Sequence, residues 1–262
     1  MSTSLYVAAL FRYPIKSCRG EAVREAHAEA RGFRGDRRLM VVDPEGHALT
    51  QRDHPRLALV VPRLEGESLH LAAPGMPSLR IELASRGAAR HVEVWGDACL
   101  AIDQGDAAAE WLSAYLGSPA RLVRIADACT RPTRLGDGEV GFADGYPYLI
   151  THQASLDDLN QRLSHPVPMN RFRPNIVIAG GAPFEEDTWR RLSIGDAVFE
   201  LVKPCARCSV IENDQEHAQP DRGALAALAT YRQREGKVYF GYNAIARVFG
   251  TVRVGMPVVL LD

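Results

Sequence analysis

Residues 57–95 read LALVVPRLEGESLHLAAPGMPSLRIELASRGAARHVEVW. Four short apolar runs lie inside this stretch: Leu57–Pro62, Leu69–Ala72, Leu79–Leu83 and His91–Trp95. Short strands recurring about every ten residues are the pattern of a small barrel or sandwich. The same reading extends toward the N-terminus. Tyr6–Tyr13 is an apolar run that stops at Pro14, and Arg38–Asp43, Pro44-Glu45-Gly46 and His47–Thr50 have the form of a hairpin. Toward the C-terminus, Ala107, Ala108, Trp111, Leu112 and Leu116 fall at helical spacing, predicting a helix over Gly105–Leu116 that stops at Gly117. Ala120–Ile125 reads as a strand. Ala126–Gly145 reads as a loop long enough to be functional or a domain linker. A second helix is expected from an N-cap at Ser155, with Asp157 and Asp158 in its first turn, to Leu163. Strands are expected at Asn175–Ala179, Ala197–Lys203, Cys208–Asn213 and Val238–Tyr242, and a helix over Gly223–Gln233. A closing strand pair turning at Gly255 is expected over Thr251–Leu261. The fold class that follows is mainly β, of the α+β kind, with a few helices.

Composition narrows the function. Of 262 residues, 46% are apolar, enough for a packed core. Thirty-one basic against 32 acidic residues leave a net charge of −1, so nothing electrostatic favours nucleic acid or a membrane surface. Met1–Tyr6 has no charged segment leading into an apolar one, so no signal peptide is expected. No apolar run approaches the roughly 20 residues of a membrane span. Five cysteines (Cys18, Cys99, Cys129, Cys205 and Cys208) are an odd number in a long chain. They read as reduced thiols of a cytoplasmic protein and not as a disulfide framework.

Four short segments carry the chemistry. Lys203-Pro204-Cys205-Ala206-Arg207-Cys208 sets two thiols three residues apart beside an arginine. Thiolates are soft ligands, and a neighbouring cation favours the anionic sulfur. The eight histidines form no HxxxH or HExxH pattern and the CxxC stands alone, so a four-ligand structural zinc is not expected. A thioredoxin-like pair wants a βαβ context, and strands flank this one. Tyr13–Gly20 brings Lys16 and Ser17, which with backbone amides suit a phosphate. Gly35-Asp36-Arg37-Arg38 offers either an anion clamp or an ion pair with Asp36. In Asn170–Asn175, an extended chain would put Arg171, Arg173 and Asn175 on one face, a grip for a phosphorylated or heteroaromatic ligand.

With these residues the chain resembles the MOSC family, named for the C-terminal domain of molybdenum-cofactor sulfurase, including that family's N-terminal β-barrel domain. It resembles in particular bacterial relatives of the mitochondrial amidoxime reducing component. The segments that carry the resemblance are YPIKSCRG (13–20), GDRRLMVVD (35–43), TQRDHPRL (50–57), VWGD to AAEWLSAYLG (94–117), NRFRPNIVI (170–178), PFEEDTW to IGD (183–196), PCARC (204–208), Tyr231-Arg232 and VRVGMPVVL (252–260). The resemblance implies two parts, residues 1–122 as the N-terminal β-barrel domain and 123–262 as the MOSC domain, with a cofactor in the cleft between them.

The implied cofactor is a molybdenum held by the dithiolene of a phosphorylated pterin. Cys208 matches the family's protein ligand to the metal, with Cys205 its neighbour. Lys16, Ser17, Arg37, Thr151, Arg173, Asn175 and Arg207 match the groups that hold pterin and phosphate. The implied chemistry is two-electron reduction of N-hydroxylated small molecules, with electrons from a separate donor protein of ferredoxin, cytochrome or flavin reductase type, since the chain has no CxxxxCxxC run for a cluster of its own. The alternative is a non-catalytic carrier of the cofactor, or of sulfur as a cysteine persulfide.

Overall fold

A computed structural model of the chain describes residues 4–261. The expected parts begin at Met1 and end at Asp262, both outside the described residues. One long sheet organises the molecule. Its strands run in the order Val258–Leu261, Arg191–Ile194, Ala197–Ala206, Lys237–Val248, Tyr148–His152, Ile176–Ala179, Tyr6–Arg12 and Glu21–Val23. Neighbours are antiparallel except Tyr148–His152 with Ile176–Ala179. The far edge returns to the start: Val258 N donates to Leu5 O at 2.9 Å, and Tyr6 bridges Pro257. Alternation drives this sheet. In Ala197–Ala206, Ala197, Phe199 and Leu201 turn inward while Val198, Glu200 and Val202 are half-exposed. Tyr148 packs edge-on between Phe33 at 5.3 Å and Phe199 at 5.1 Å, ring centre to ring centre. Each such ring buried contributes about 1.5–3 kcal/mol.

Ile176–Ala179 is buried at all four positions because it has a layer on each side. Ile176 and Ile178 face the core of the sheet. Val177 faces a second cluster formed by Phe172, Phe240, Leu228 and Leu159, which two helices cover. These are Gln153–Asn160 and Ala224–Arg232. Most of the remaining strands lie in the first half of the chain. Leu39–Val42, Arg121–Ile125, Asp97–Asp103 and Ala89–Val94 form one sheet, and Val61–Glu65, Ser68–Ala72 and Leu79–Glu82 another. Helix Asp106–Leu116 inserts Trp111, Leu112 and Tyr115 into the core that joins them, and ends at Gly117 in the left-handed conformation.

The mainly β, α+β reading and the Asp106–Leu116 helix agree with expectation. Five local expectations do not. Cys208–Asn213 is no strand: Ser209–Glu212 is a 3-10 turn, with Asn213 and Gln215 tied across the molecule to Gln51. Asn170–Asn175 is not extended. Met169–Phe172 is a 3-10 turn and Arg173 is left-handed, because Arg171 is drawn to Asp214 and Asp221. The second long helix is capped by His152, whose Nδ1 accepts from Ala154 N, while Ser155 is buried and bonds Glu186. Leu57–Pro62 begins as the 3-10 turn Pro55–Leu59 and becomes a strand only from Val61. The two C-terminal strands do not pair with each other. Gly250–Arg253 pairs with Glu25–Glu29 and Val258–Leu261 with Arg191–Ile194, because the Gly255 turn is stitched onto Val7.

Ala126–Gly145 is no free linker. Phe142 N donates to Arg37 O at 2.7 Å, and buried Arg131 donates to Ala143 O at 3.0 Å and Asp97 Oδ2 at 2.7 Å. The strap is therefore packed down, and it delivers Asp144 to a defined place.

Glu186 is fully buried, with both carboxyl oxygens 2.9 Å from Ser155 Oγ. Burial pushes its carboxyl up to about 7 from an ordinary 4.5, against the opposing hydrogen bonds. The folded protein thus binds a proton over a range where the unfolded chain has lost it. Stability contributed at low pH is lost as pH rises from about 4.5 to about 7, on the order of 3 kcal/mol in all. Glu186→Gln is expected to remove that slope in urea unfolding measured from pH 5 to pH 8. Parallel wild-type and variant curves contradict it.

Candidate functional site

A cleft of about 920 Å³, its open mouth included, is lined from both halves of the chain. Lys16, Ser17, Arg37, Arg52 and Trp95 come from one side, and Asp144, Arg173, Asn175, Cys205, Arg207 and Cys208 from the other. Of the residues matched to the family's cofactor groups, all but Thr151 meet here, while Arg38 and Arg171, also read as anion grips, lie outside the lining. Thr151 is fully buried behind the wall, its hydroxyl on Met169 Sδ at 3.4 Å, and does not line the cleft.

Backbone strain is concentrated here. Of the non-glycine residues with positive φ, Ser17 (65°), Arg37 (44°), Trp95 (54°) and Arg173 (55°) all line the cleft. Such conformations cost about 1–3 kcal/mol each and persist where surrounding contacts over-determine them. The contacts are visible. Cys18 N to Ile15 O, 3.2 Å, closes the turn that carries Ser17. Arg37 Nη1 donates to Asp36 Oδ2 at 2.7 Å and Asn175 Oδ1 at 3.0 Å, and its Nη2 to Arg173 O at 3.3 Å. The Asp36 pairing expected from the sequence exists, but it is buried, and Arg38 leaves for Glu29. Asn175 lines the cleft with its amide spent on scaffold: it accepts from Arg37 and Leu149 N and donates to Phe11 O and Asp36.

Tyr13 underlies the cations. The Arg37 and Arg173 guanidinium carbons lie 4.0 Å and 4.4 Å from its ring centre. Burial pushes its phenol up to about 12, the neighbouring guanidinium groups opposing. Lys16 is buried, and burial draws its ammonium below the ordinary lysine range, against the pull of Asp144. Its Nζ donates to Phe142 O at 2.9 Å and to Asp144. The Asp144 side chain is largely exposed. Close neighbours strip part of its water, which would raise its carboxyl, but Lys16 and the Trp95 indole, whose Nε1 donates to it at 2.9 Å, outweigh that and hold it below the usual range.

The two thiols are not equivalent. Arg207, adjacent to Cys208 in sequence, turns to Cys205: its Nη1 lies 3.0 Å from Cys205 Sγ and its Nη2 2.8 Å from Phe172 O. The guanidinium on Cys208 is Arg52, whose Nη2 donates to its Sγ at 3.4 Å from the far half of the chain. Arg52, Trp95 and Asp144 are charged or hydrogen-bonding cleft residues that the sequence reading passed over. TQRDHPRL and VWGD held the first two, but nothing local marks them, since their partners are 156 and 49 residues away.

The donor set fits an anionic, sulfur-ligated cofactor. Five cations face one carboxylate along the lining, and Arg207 Nε is buried without a partner among the described residues. Among those residues no three His, Cys, Asp or Glu side chains gather to hold a metal by themselves. A metal arriving with its own dithiolene needs one protein thiolate, which the cleft offers.

Known proteins share this architecture. Residues 4–119 match the MOSC N-terminal beta barrel domain and residues 137–259 the MOSC domain. The chain is 36% identical to the human mitochondrial amidoxime-reducing component 1, over 97% of this chain and 82% of that one. The chain belongs to the MOSC family. Another MOSC relative, mitochondrial amidoxime reducing component 2 of Rattus norvegicus, is 38% identical over 96% of this chain and 82% of its own. Molybdenum cofactor sulfurase of Oryza sativa subsp. japonica is 31% identical over 91% of this chain but 32% of its own length. No helix among the described residues of this MOSC chain is long and apolar enough to cross a membrane.

Gly20 packs flat on Tyr13. A Cβ there would stand 2.8 Å and 2.9 Å from ring atoms Cδ1 and Cζ, and closer still to Cε1. Gly20→Ala must displace the ring against which Arg37 and Arg173 rest, and is expected to cost about 1–3 kcal/mol in thermal or urea unfolding. Tyr13→Phe removes a buried hydroxyl with no partner among the described residues and is expected to be neutral or stabilising. The reverse order of the two variants contradicts this account of the cleft floor.

Proposed function

We propose that this chain binds the molybdenum cofactor in the cleft between residues 1–122 and 123–262 and reduces N-hydroxylated small molecules. The observation that carries the reading is Cys208 in a cation-lined cleft of a chain whose relatives are named amidoxime-reducing components. The reaction takes two electrons and two protons, breaks the N–O bond, and releases the N–H compound and water. Bound in the cleft, the cofactor supplies the two-electron redox centre for that exchange.

The chain's own groups divide the remaining work. Cys208 is the protein's ligand to the metal, a soft thiolate suited to it. Lys16, Ser17, Arg37 and Arg173 receive the phosphate and pterin, with Arg guanidinium groups giving directional, charge-assisted bonds. Asn175 acts one step behind, holding Arg37 and Asp36 in place. Arg207 fixes the Cys205–Cys208 loop to the Phe172 carbonyl and keeps Nε for the ligand. Electrons come from a separate carrier protein of ferredoxin, cytochrome or flavin reductase type. The five free cysteines support a reducing compartment such as the cytoplasm.

A sulfur-carrier reading has one observation in its favour: Cys205 is partly exposed with a guanidinium 3.0 Å from its sulfur. A persulfide on Cys205 by mass spectrometry, with no reductase activity, selects that reading. On the reductase reading, Cys208→Ala purified from a cofactor-producing host loses its molybdenum and its reduction of benzamidoxime, and Cys205→Ala keeps both. Molybdenum and activity retained by the Cys208 variant contradict the ligand assignment.

A further inference from the structure

The cations of the cleft are of two kinds. Lys16, Arg37 and Arg207 are buried or half-buried, and each makes at least two hydrogen bonds to the scaffold. Arg173 lies half-buried on Tyr13 at the cleft floor. Arg52 differs. It is exposed, it arrives from the opposite half of the chain, and its guanidinium makes a single hydrogen bond among the described residues, to Cys208 Sγ. A guanidinium carries five N–H donors in a planar fork, so most of its donors are left unspent at a residue that lines the cleft.

Arg52 is nevertheless held still. Its guanidinium carbon lies 4.3 Å from the centre of the Trp95 ring system. Trp95 is pinned in turn by its hydrogen bond to Asp144, which is itself paired with Lys16. The indole is 45% exposed, and its backbone sits at φ 54°, a costly conformation for a bulky residue. An exposed ring in a strained conformation gains the core little. It does gain the cleft a rigid shelf that carries a cation to the sulfur of Cys208.

We propose that Arg52, seated on Trp95, is the group that receives the departing oxygen of the substrate beside Cys208. The inference rests on the functional reading above and adds a residue to it. When the N–O bond breaks, two electrons enter, the nitrogen keeps its bond to carbon and gains a proton, and the oxygen leaves as water after gaining another. Negative charge develops on that oxygen before protonation is complete. A fixed cationic donor stabilises it without reorganising. Arginine does not give up its proton, so both protons come from solvent at the open mouth.

The test uses holo-protein from a cofactor-producing host, as wild type, Arg52→Met and Arg52→Lys. Three quantities are read: molybdenum content, kcat and KM for benzamidoxime with a chemical reductant, and the benzamidoxime Kd from tryptophan fluorescence. Arg52→Met is expected to keep its molybdenum and bind benzamidoxime within a few-fold of wild type, with kcat down roughly 100-fold, the scale for loss of one such donor. Arg52→Lys is expected to recover part of kcat, as a point charge replaces the fork. A kcat within about twofold of wild type for Arg52→Met, well short of a lost donor, overturns the inference. So does molybdenum lost in step with activity, which would make Arg52 a support for Cys208 alone. A molybdenum-loaded wild type that reduces no N-hydroxylated compound overturns the functional reading itself, a result distinguishable from either.

Discussion

A buried carboxylate must be met by donors, and the way Asp36 is met sets the geometry of the cleft. Its side chain is 1% exposed. It accepts from Tyr13 N at 2.7 Å, Asn175 Nδ2 at 3.1 Å and Arg37 Nη1 at 2.7 Å. Burial pushes its carboxyl upward in pH, and the three donors, the Arg37 guanidinium first, pull the other way. Residues 13, 36–37 and 175 come from three separate segments, and this one group fixes their mutual positions. Removing one member of a buried pair leaves the other unmet, a cost of about 3–5 kcal/mol. Arg37 is thereby held left-handed over Tyr13, Arg173 is drawn beside it through its carbonyl, and the cation floor follows.

The second level is the seam between the halves. Gln51 Nε2 donates to Ser17 O at 2.7 Å and to Gln215 Oε1 at 3.1 Å, while Asn213 and Gln215 donate back to Gln51 Oε1. This buried amide lattice joins the segment bearing Ser17 to the loop that follows Cys208. The neighbouring pair, Arg52 on Cys208, crosses the same seam. Arg171 anchors the loop from below through Asp214 and Asp221. Because buried amides left unpaired are costly, the lattice gives a defined register where apolar contact alone would permit sliding. The cleft is accordingly a joint product of residues more than 150 positions apart in the chain.

The sequence made the strands legible wherever alternation ran unbroken, as in Ala197–Ala206, and the Asp106–Leu116 helix wherever glycine marked its ends. It misread the segments whose conformation is decided by distant partners. Arg171 and Arg173 were expected on one face of a strand; Asp214 and Asp221 claim the first and the Tyr13 ring the second. Cys208–Asn213 has the composition of a strand and is bent into a turn by the Gln51 lattice. The same limit governed the site. Lys16, Ser17, Arg37, Arg173 and Cys208 stood in recognisable motifs. Arg52 looks like any surface arginine until Trp95 and Cys208 are seen beside it. Thr151 occupies a strand that passes behind the wall, a matter of which way one side chain faces.

The central claim is that one particular sulfur in this cleft holds a metal. Anomalous diffraction at the molybdenum edge from crystals of the holo-protein tests it most directly. The account predicts a single strong peak inside the cleft at bonding distance from Cys208 Sγ, with Cys205 Sγ farther off beside Arg207. A peak bonded to Cys205, or one lying outside the cleft, contradicts it.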